Sequence, residues 1–245
     1  MTDEARAART AAVIPAAGRG VRLGPGAPKA LRALNGTPML IHAVRAMAAS
    51  RAVSLVVVVA PPDGVGEVKA LVDEYSLPER TDILVVAGGA SRQESVRLGL
   101  DALPETITTV LVHDAARPLV PVDTVDAVIE AVRDGAPAVV PALPLADTVK
   151  EVEPRTDGRP EPVVATPVRS RLRAVQTPQG FDRDTLERAH REVTENVTDD
   201  AGMVEQLGLQ VVAVPGHEEA FKVTRPLDLV LAEAVLARRR ANDGF

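Results

Sequence analysis

The chain contains no cysteine and no tryptophan, and aromatic residues make up only 2% of its 245 residues. Without cysteine the chain can form neither a disulfide framework nor a thiolate metal site, which fits a reducing compartment. Since large aromatic side chains are scarce, the core must be built from Val, Leu, Ile and Ala. Such a composition favours a parallel sheet that is buried on both faces.

The sequence also lacks an excess of basic residues and any long apolar run. It has 28 Lys and Arg against 34 Asp and Glu, a net charge of −6, whereas nucleic acids and anionic membranes bind basic surfaces. The first ten residues are polar and acidic, and the first apolar run after them is far too short to cross a bilayer. We therefore predict a cytoplasmic protein with no nucleic-acid partner and no membrane partner.

Apolar, β-branched runs recur along the chain and alternate with stretches that carry helix-start signals. The runs cover residues 11–16, 54–60, 82–87, 108–114, 136–142 and 209–214. The helix starts lie after Pro38, at the capping box 91–94, after Pro121, and near Asp182, Asp199 and Pro226. This alternation predicts the α/β class, with a doubly wound, mostly parallel, Rossmann-like sheet in a single domain spanning residues 1–245.

The alternation breaks between residues 144 and 170. This segment mixes short strand-like pieces with Pro, Gly and charged residues, and residues 155–158 read Arg-Thr-Asp-Gly. Such a pattern is typical of a β-hairpin with a polar tip. We predict a projecting hairpin arm here rather than a linker between two domains.

The first candidate site follows the first predicted strand, where residues 15–29 read PAAGRGVRLGPGAPK. Small residues let backbone N–H groups approach a polyphosphate, and Arg22 and Lys29 can neutralise its charge. The spacing matches neither the Walker sequence nor the dinucleotide fingerprint. We predict a phosphate-binding loop; a glycine-rich turn with solvated basic residues is the structural alternative.

The second candidate closes the fourth predicted strand, where residues 113–118 read HDAARP. Asp114 is predicted to hold Mg²⁺ against triphosphate oxygens, because Mg²⁺ takes one or two carboxylates and keeps its waters. Arg117 is placed to reach a phosphate of the nucleotide or of a phosphorylated substrate. His113 is interpreted as a packing residue without a catalytic role.

The third candidate, residues 88–96, joins the third predicted strand to its helix. Gly88 and Gly89 let the backbone pass close to a flat ligand such as a base, and Ser95 offers a hydroxyl. Ser91 and Glu94 are equally well explained as a helix cap. Both a binding role and a purely structural role therefore stay open for this segment.

These motifs, together with Asp147-Thr148, TPQ at 177–179, TDD at 198–200 and KVTRP at 222–226, resemble the 2-C-methyl-D-erythritol 4-phosphate cytidylyltransferase family of the non-mevalonate isoprenoid pathway. The resemblance covers about residues 11–236, and HDAARP and KVTRP are specific in combination. It implies a fold of the nucleotidyltransferase type. It also implies an enzyme whose acceptor phosphate attacks the α-phosphorus of CTP in line and releases pyrophosphate.

The resemblance also implies roles for individual residues. Transition-state charge would be stabilised by Arg22 and Lys29. Nucleotide contacts are implied for Ala16, Ala17, Gly18, Gly88, Ser95, Asp114 and Ala115, with Mg²⁺ on Asp114. Acceptor contacts are implied for Arg117, Thr148, Arg169, Thr198 and Lys222, of which Thr148 and Arg169 would reach across a homodimer from the arm. The position after Gly89 is often acidic in relatives and is Ala90 here, which weakens the case for a side-chain contact with cytosine.

Two other functions stay open at this point. A cytidylyltransferase of the same fold acting on ribitol 5-phosphate would share the CTP loop and differ around the acceptor; Arg169 and residues 198–201 favour methylerythritol phosphate, by resemblance. A CTP-binding regulator without catalysis has no need of Arg22, Lys29 and Asp114 together. Taken alone, residues 198–200 would be a helix cap and Lys222 a solvated charge.

Overall fold

The computed structural model describes residues 9–18, 28–193 and 197–242, so Arg22 lies outside the described residues. The main sheet contains β1 (Arg9–Pro15), β4 (Val53–Ala60), β5 (Asp82–Ala87), β6 (Ile107–Val112), β7 (Ala138–Pro144), β10 (Arg173–Val175), β11 (Gln179–Asp182) and β12 (Val211–Pro215). Two small two-stranded sheets pair β2 (Ala33–Leu34) with β3 (Thr37–Pro38) and β8 (Glu151–Val152) with β9 (Val163–Ala165). The helices are α1 (Met39–Ala49), α2 (Val65–Glu74), α3 (Arg92–Asp101), α4 (Val122–Arg133), α5 (Arg183–Glu192), α6 (Asp200–Gln206) and α7 (Pro226–Asn242).

The strand order of the main sheet is β10-β7-β11-β6-β1-β4-β5, with β12 paired to β7. The pairs of β1 with β4 and β6, of β4 with β5, and of β7 with β12 are all parallel. The chain winds from β1 outward through β4 to β5 and then returns to place β6 on the other side of β1. The predicted doubly wound, mostly parallel sheet is confirmed, and its reversal of direction puts a crevice beyond the carboxyl end of β1.

Helices cover both faces of this sheet, and alternate residues of each strand enter different cores. In β1, Ala12 and Ile14 pack with α1, α2 and α4, whereas Ala11 and Val13 pack with α3, α5 and α6. All four side chains are fully buried. The continuous apolar runs of the sequence therefore reflect strands that are buried on both sides.

Two antiparallel strands, β10 and β11, were not predicted. They follow the arm, so the chain re-enters the sheet in the direction opposite to β7, and both pair antiparallel with it. The residues of β10 are exposed and β11 contains Gly180. Neither strand carries the long β-branched run that identified the others.

Gly180 lies directly beneath α4. A Cβ at this position would lie 2.5 Å from Val128 Cγ1 and 3.1 Å from Val132 Cγ2. We expect Gly180→Ala to lower the free energy of unfolding by about 1–3 kcal/mol, because an extra methyl overpacks a filled core. Urea unfolding measures the effect. Gly66→Ala is the matched control, since a Cβ at this exposed position in α2 meets nothing within 4 Å; equal stability of the two variants would contradict the packing.

The segment between β7 and β10 forms the predicted hairpin. Strands β8 and β9 pair antiparallel, and the predicted tip at 155–158 lies in the connection between them. Val163, Val164 and Val168 are 56–63% exposed on this arm.

Within the described ranges, none of the helices is both long enough and apolar enough to cross a membrane.

Candidate active site

Three of the predicted motifs directly follow β1, β5 and β6 and lie at the carboxyl edge of the sheet. The hydrogen bonds that align them run from Ala16 N–H to Val59 O (2.8 Å), from Gly88 N–H to Ala60 O (2.7 Å) and from His113 N–H to Val13 O (2.9 Å). Because these bonds extend the sheet by one residue at each strand, they fix the start of every loop. Residues 16–18, 89–90 and 114–116 therefore border one cleft.

The cleft has two lobes, named for the parts of the ligand that we propose to bind in them. The nucleoside lobe, about 250 Å³, is lined by Ala17, Gly89, Ala90, Ser91, Arg92 and Ser95 together with Pro15, Gly18 and Asp114. The phosphate lobe, about 200 Å³, is lined by Ala16, Lys29, Ala30, Ala115, Ala116 and Lys222 together with the same Pro15, Gly18 and Asp114. Since Pro15, Gly18 and Asp114 line both, the two lobes meet at these residues.

Close packing shapes the wall of the nucleoside lobe. A Cβ on Gly88 would lie 2.9 Å from Ser95 Oγ and 3.2 Å from Ala17 Cβ, so only glycine fits without displacing the wall. The buried Ser95 hydroxyl donates to Ser91 O at 2.8 Å and accepts from Gly89 N–H at 3.2 Å. In this structure Ser95 holds the glycine loop in place beside the lobe.

The predicted capping box at the start of α3 is present in shifted form. Ser91 Oγ accepts from Glu94 N–H at 3.0 Å, while Glu94 Oε2 accepts from Ala90 N–H at 2.7 Å, one residue before the N-cap. The same residues 89–92 line the nucleoside lobe. The structural interpretation of this motif and the binding interpretation are therefore compatible.

Two lysines and one carboxylate face the phosphate lobe. Lys29 begins a 3-10 turn at Lys29–Leu31, and Lys222 Nζ lies 2.7 Å from Asp114 Oδ2. Arg117 Nε lies 3.8 Å and Arg92 Nε 4.0 Å from the Asp114 carboxylate. Cationic groups thus outnumber the carboxylate, which suits a ligand rich in phosphate.

The ionisation of Asp114 depends on these cations. Burial on its own raises the pKa of the carboxyl group, but the charges of Lys222, Arg92 and Arg117 and the hydrogen bond from Lys222 outweigh burial. The pKa of Asp114 is therefore held below its usual value, and the group is a carboxylate at neutral pH.

Asp114 also suits a Mg²⁺ site that is completed by a ligand. Its Oδ1 atom is 4.0 Å from Arg92 Nε, too far for a hydrogen bond. Within residues 9–18, 28–193 and 197–242, no group of three or more His, Cys, Asp or Glu side chains converges as a metal site. A single carboxylate fits Mg²⁺ when phosphate oxygens and waters provide the other ligands.

His113 is fully buried beneath the cleft. Its Nε2 atom lies 3.1 Å from Arg117 O and its Nδ1 atom 3.0 Å from Thr177 Oγ1. Burial lowers the pKa of His113 to about 4, so the ring is neutral at physiological pH. A neutral, enclosed imidazole supports loops here rather than exchanging protons with a ligand.

Two nitrogens of the Arg117 side chain donate to the protein backbone. Nη1 donates to Ala220 O at 2.7 Å and Nη2 to Val175 O at 3.3 Å, and the side chain is only 12% exposed. In the part of the chain that the structure describes, Arg117 lines neither lobe. Arg117 joins the end of β10 to the 3-10 turn Glu218–Ala220 beside the cleft, and its contact with a phosphate stays a prediction.

A comparison with protein-family models matches residues 10–238 to the family described as IspD, 2-C-methyl-D-erythritol 4-phosphate cytidylyltransferase. The chain belongs to this family. Among curated relatives, the protein of this name from Streptomyces avermitilis is 84% identical over the whole of both chains. That from Streptomyces coelicolor is 84% identical, over 97% of this chain and 88% of the relative.

A solved structure supports the same grouping. The 2-C-methyl-D-erythritol 4-phosphate cytidylyltransferase from Thermus thermophilus is 36% identical and has a TM-score of 0.71, covering 93% of this chain and 98% of that one. The predicted resemblance to the cytidylyltransferase family is confirmed, and the chain is a nucleotidyltransferase enzyme.

Two acceptor residues that the family pattern implies lie on the arm, away from the cleft of the same chain. Thr148 and Arg169 are exposed, and Arg169 Nη1 donates to Ala146 O at 2.5 Å. Neither side chain lines a lobe within the described residues. A single chain therefore brings Lys29, Asp114 and Lys222 together but leaves Thr148 and Arg169 outside.

Thr177 and Arg92 had no role in the sequence interpretation, whereas Thr198 had been assigned to the acceptor. Thr177 Oγ1 accepts from Asp114 N–H at 3.0 Å and orients the loop that carries the carboxylate. Arg92 lines the nucleoside lobe and pairs with the buried Asp200 at 2.7 Å. The exposed Thr198 precedes Asp199, which caps α6 by accepting from Gly202 N–H. The TPQ motif signalled Thr177 and the TDD motif signalled residues 198–200, but neither motif signalled the partners of these residues.

Proposed function

We propose that this chain joins CTP to 2-C-methyl-D-erythritol 4-phosphate and forms 4-diphosphocytidyl-2-C-methyl-D-erythritol and pyrophosphate. The observation that carries the proposal is the pair of lobes that meet at Asp114: a small, glycine-walled lobe opens into one lined by Lys29 and Lys222. A base fits the first lobe and a triphosphate the second. The activity named for relatives at 84% identity supports the same conclusion.

In the proposed reaction an oxygen of the acceptor phosphate attacks the α-phosphorus of CTP in line. A new P–O bond forms to the acceptor, and the bond between the α-phosphorus and its bridge to the β-phosphate breaks, so that pyrophosphate leaves. Lys29, with Arg22, stabilises the charge that grows on the phosphoryl oxygens. No general base is needed, because the attacking phosphate is already an anion at neutral pH.

Asp114 would hold Mg²⁺ against the triphosphate. The metal, when bound, neutralises phosphate charge and helps to orient the triphosphate. The Asp114 side chain is ionised before a metal binds, because the surrounding cations hold its pKa low. Lys222, at 2.7 Å from the same carboxylate, keeps positive charge next to the acceptor side of the lobe.

The arm supports a homodimer in which each arm completes the other chain's cleft. Thr148 and Arg169 are polar residues of the arm that do not reach their own cleft, and Val163, Val164 and Val168 give it an exposed apolar surface. Apolar surface of this kind is typical of an interface.

Since CTP is an intracellular nucleotide, we place the enzyme in the cytoplasm.

Arg169→Ala tests the arm. We expect the KM for the acceptor to rise about 10- to 100-fold, because a charged hydrogen bond to phosphate is lost, while the Kd for CTP stays unchanged. Arg171→Ala, an exposed residue in the same 3-10 turn, is the matched control. A selective loss of CTP binding in Arg169→Ala would show that the arm does not serve the acceptor.

Pyrophosphate release tests the reaction itself. The enzyme is supplied with CTP and Mg²⁺, with methylerythritol 4-phosphate and ribitol 5-phosphate in separate tubes. We expect release with methylerythritol phosphate alone. Release with ribitol 5-phosphate alone would overturn the choice of acceptor, and no release with either would favour a CTP-binding regulator.

A further inference from the structure

Two arginines flank Asp114, and they differ in what they offer to the cleft. Arg117 is 12% exposed and donates to two backbone carbonyls. Arg92, by contrast, is 37% exposed, lines the nucleoside lobe, and keeps its Nε 4.0 Å from Asp114 Oδ1. Of the two, Arg92 therefore presents its guanidinium to a ligand.

Arg92 is held from behind by a buried acidic group. Its Nη2 lies 2.7 Å from Oδ2 of Asp200, whose side chain has no exposed surface, and Oδ1 of that carboxylate lies 3.1 Å from His190 Nε2. Burial raises the pKa of Asp200, but the hydrogen bond from His190 and the charge of Arg92 outweigh it and leave the pKa lowered. A buried carboxylate that stays ionised fixes the guanidinium at the cleft wall.

Arg92 also connects the cleft to residues 198–201, through its ion pair with Asp200. Asp199 Oδ2 accepts from Gln179 Nε2 at 2.7 Å, and Gln179 Oε1 accepts from Ala201 N–H at 3.1 Å. These bonds fix residues 199–201, and Asp200 joins the segment to Arg92. Arg92 thus stands where the nucleoside lobe meets this segment, apart from the lysines of the phosphate lobe.

We propose that Arg92 contacts the phosphate of the acceptor and that Asp200 is the positioning residue that aims it. The planar fork of arginine can donate two parallel hydrogen bonds to a phosphate, and Asp200 engages only one of its nitrogens at short range. The proposal rests on the proposed transferase function. It assigns to Arg92 the contact that the sequence had suggested for Arg117.

Arg92→Gln removes the charge and keeps a polar side chain. We expect the acceptor KM to rise about 10- to 100-fold, whereas the Kd for CTP, measured by calorimetry without acceptor, changes much less. Arg97→Gln is the matched control, because Arg97 lies on the same helix, is 47% exposed and pairs with Asp101. Acceptor binding is measured by calorimetry as well, so the contact is tested independently of turnover.

Asp200→Asn and the double variant test the positioning role. If Asp200 acts through Arg92, Asp200→Asn raises the acceptor KM, and adding it to Arg92→Gln causes no further rise. Thermal unfolding of each variant separates this effect from loss of the fold. Additive effects of the two changes would contradict the positioning role.

Two results would overturn the contact itself: a folded Arg92→Gln enzyme with unchanged acceptor affinity, or one that loses CTP binding instead. If the parent enzyme binds methylerythritol phosphate but releases no pyrophosphate, the proposed reaction fails while the contact can still be judged from calorimetry. Failure of the parent to bind methylerythritol phosphate at all would overturn both.

Discussion

Replacing Lys29 with alanine is expected to lower kcat by about a hundredfold or more while leaving the fold intact. Lys29 lines the lobe in which we place the triphosphate, on a short turn that follows the glycine-rich loop. Charge accumulates there as the α-phosphorus is attacked, so a cation at this point stabilises the transition state more than the bound substrates. Steady-state kinetics at saturating CTP and acceptor measure the loss.

Lys69→Ala is the matched control for this substitution, because Lys69 is an exposed lysine on α2 and lines neither lobe. It should retain the kcat of the parent. Thermal unfolding should show the same midpoint for both variants. Unchanged turnover in Lys29→Ala would remove Lys29 from the catalytic step.

Asp114→Asn is expected to lower kcat about a hundredfold and to raise the Mg²⁺ concentration for half-maximal activity about tenfold. The substitution keeps the shape of the side chain but removes the charge that Lys222, Arg92 and Arg117 surround. Magnesium titrations at fixed CTP measure the shift. Asp101→Asn, an exposed carboxylate on α3 with 60% of its side chain in solvent, is the control.

The pH dependence of the parent enzyme adds a second test of Asp114. The pKa of Asp114 is lower in the folded protein than in the unfolded chain, where it is about 4. The stabilisation from its pairing with the surrounding cations is therefore complete above the unfolded pKa. It is lost only as the pH falls through the lower folded pKa. Activity should therefore show no loss assignable to Asp114 above about pH 5. A parent enzyme whose activity does not depend on Mg²⁺, or an Asp114→Asn variant with an unchanged Mg²⁺ requirement, would contradict the metal role.

The sequence predicted the elements whose signal is local. Continuous apolar runs identified β1 and β4, because strands buried on both faces have no polar side. The glycine-rich loop and the HDAARP motif were placed at the carboxyl edge of the sheet, because parallel strands end together there. The hairpin arm was predicted from the break in this pattern.

What the sequence could not predict depends on contacts between distant residues. The hydrogen bond from Arg117 Nη1 to Ala220 O joins residues that are 103 positions apart, and the phosphate contact expected of Arg117 stays a prediction. The pairing of Arg92 with Asp200 needs α3 and α6 to lie on the same face of the sheet, which no local pattern encodes. Strands β10 and β11 likewise exist because the arm returns the chain to β7, and their short sequences have little strand character.

The point of attack on CTP can be measured with an acceptor whose phosphate oxygens carry ¹⁸O. We expect mass spectrometry to find all of the label in a product that contains both the acceptor and cytidine, and to find unlabelled pyrophosphate in equal amount. A labelled product without cytidine, accompanied by release of CMP or CDP, would mean that the acceptor attacks a phosphorus other than the α-phosphorus.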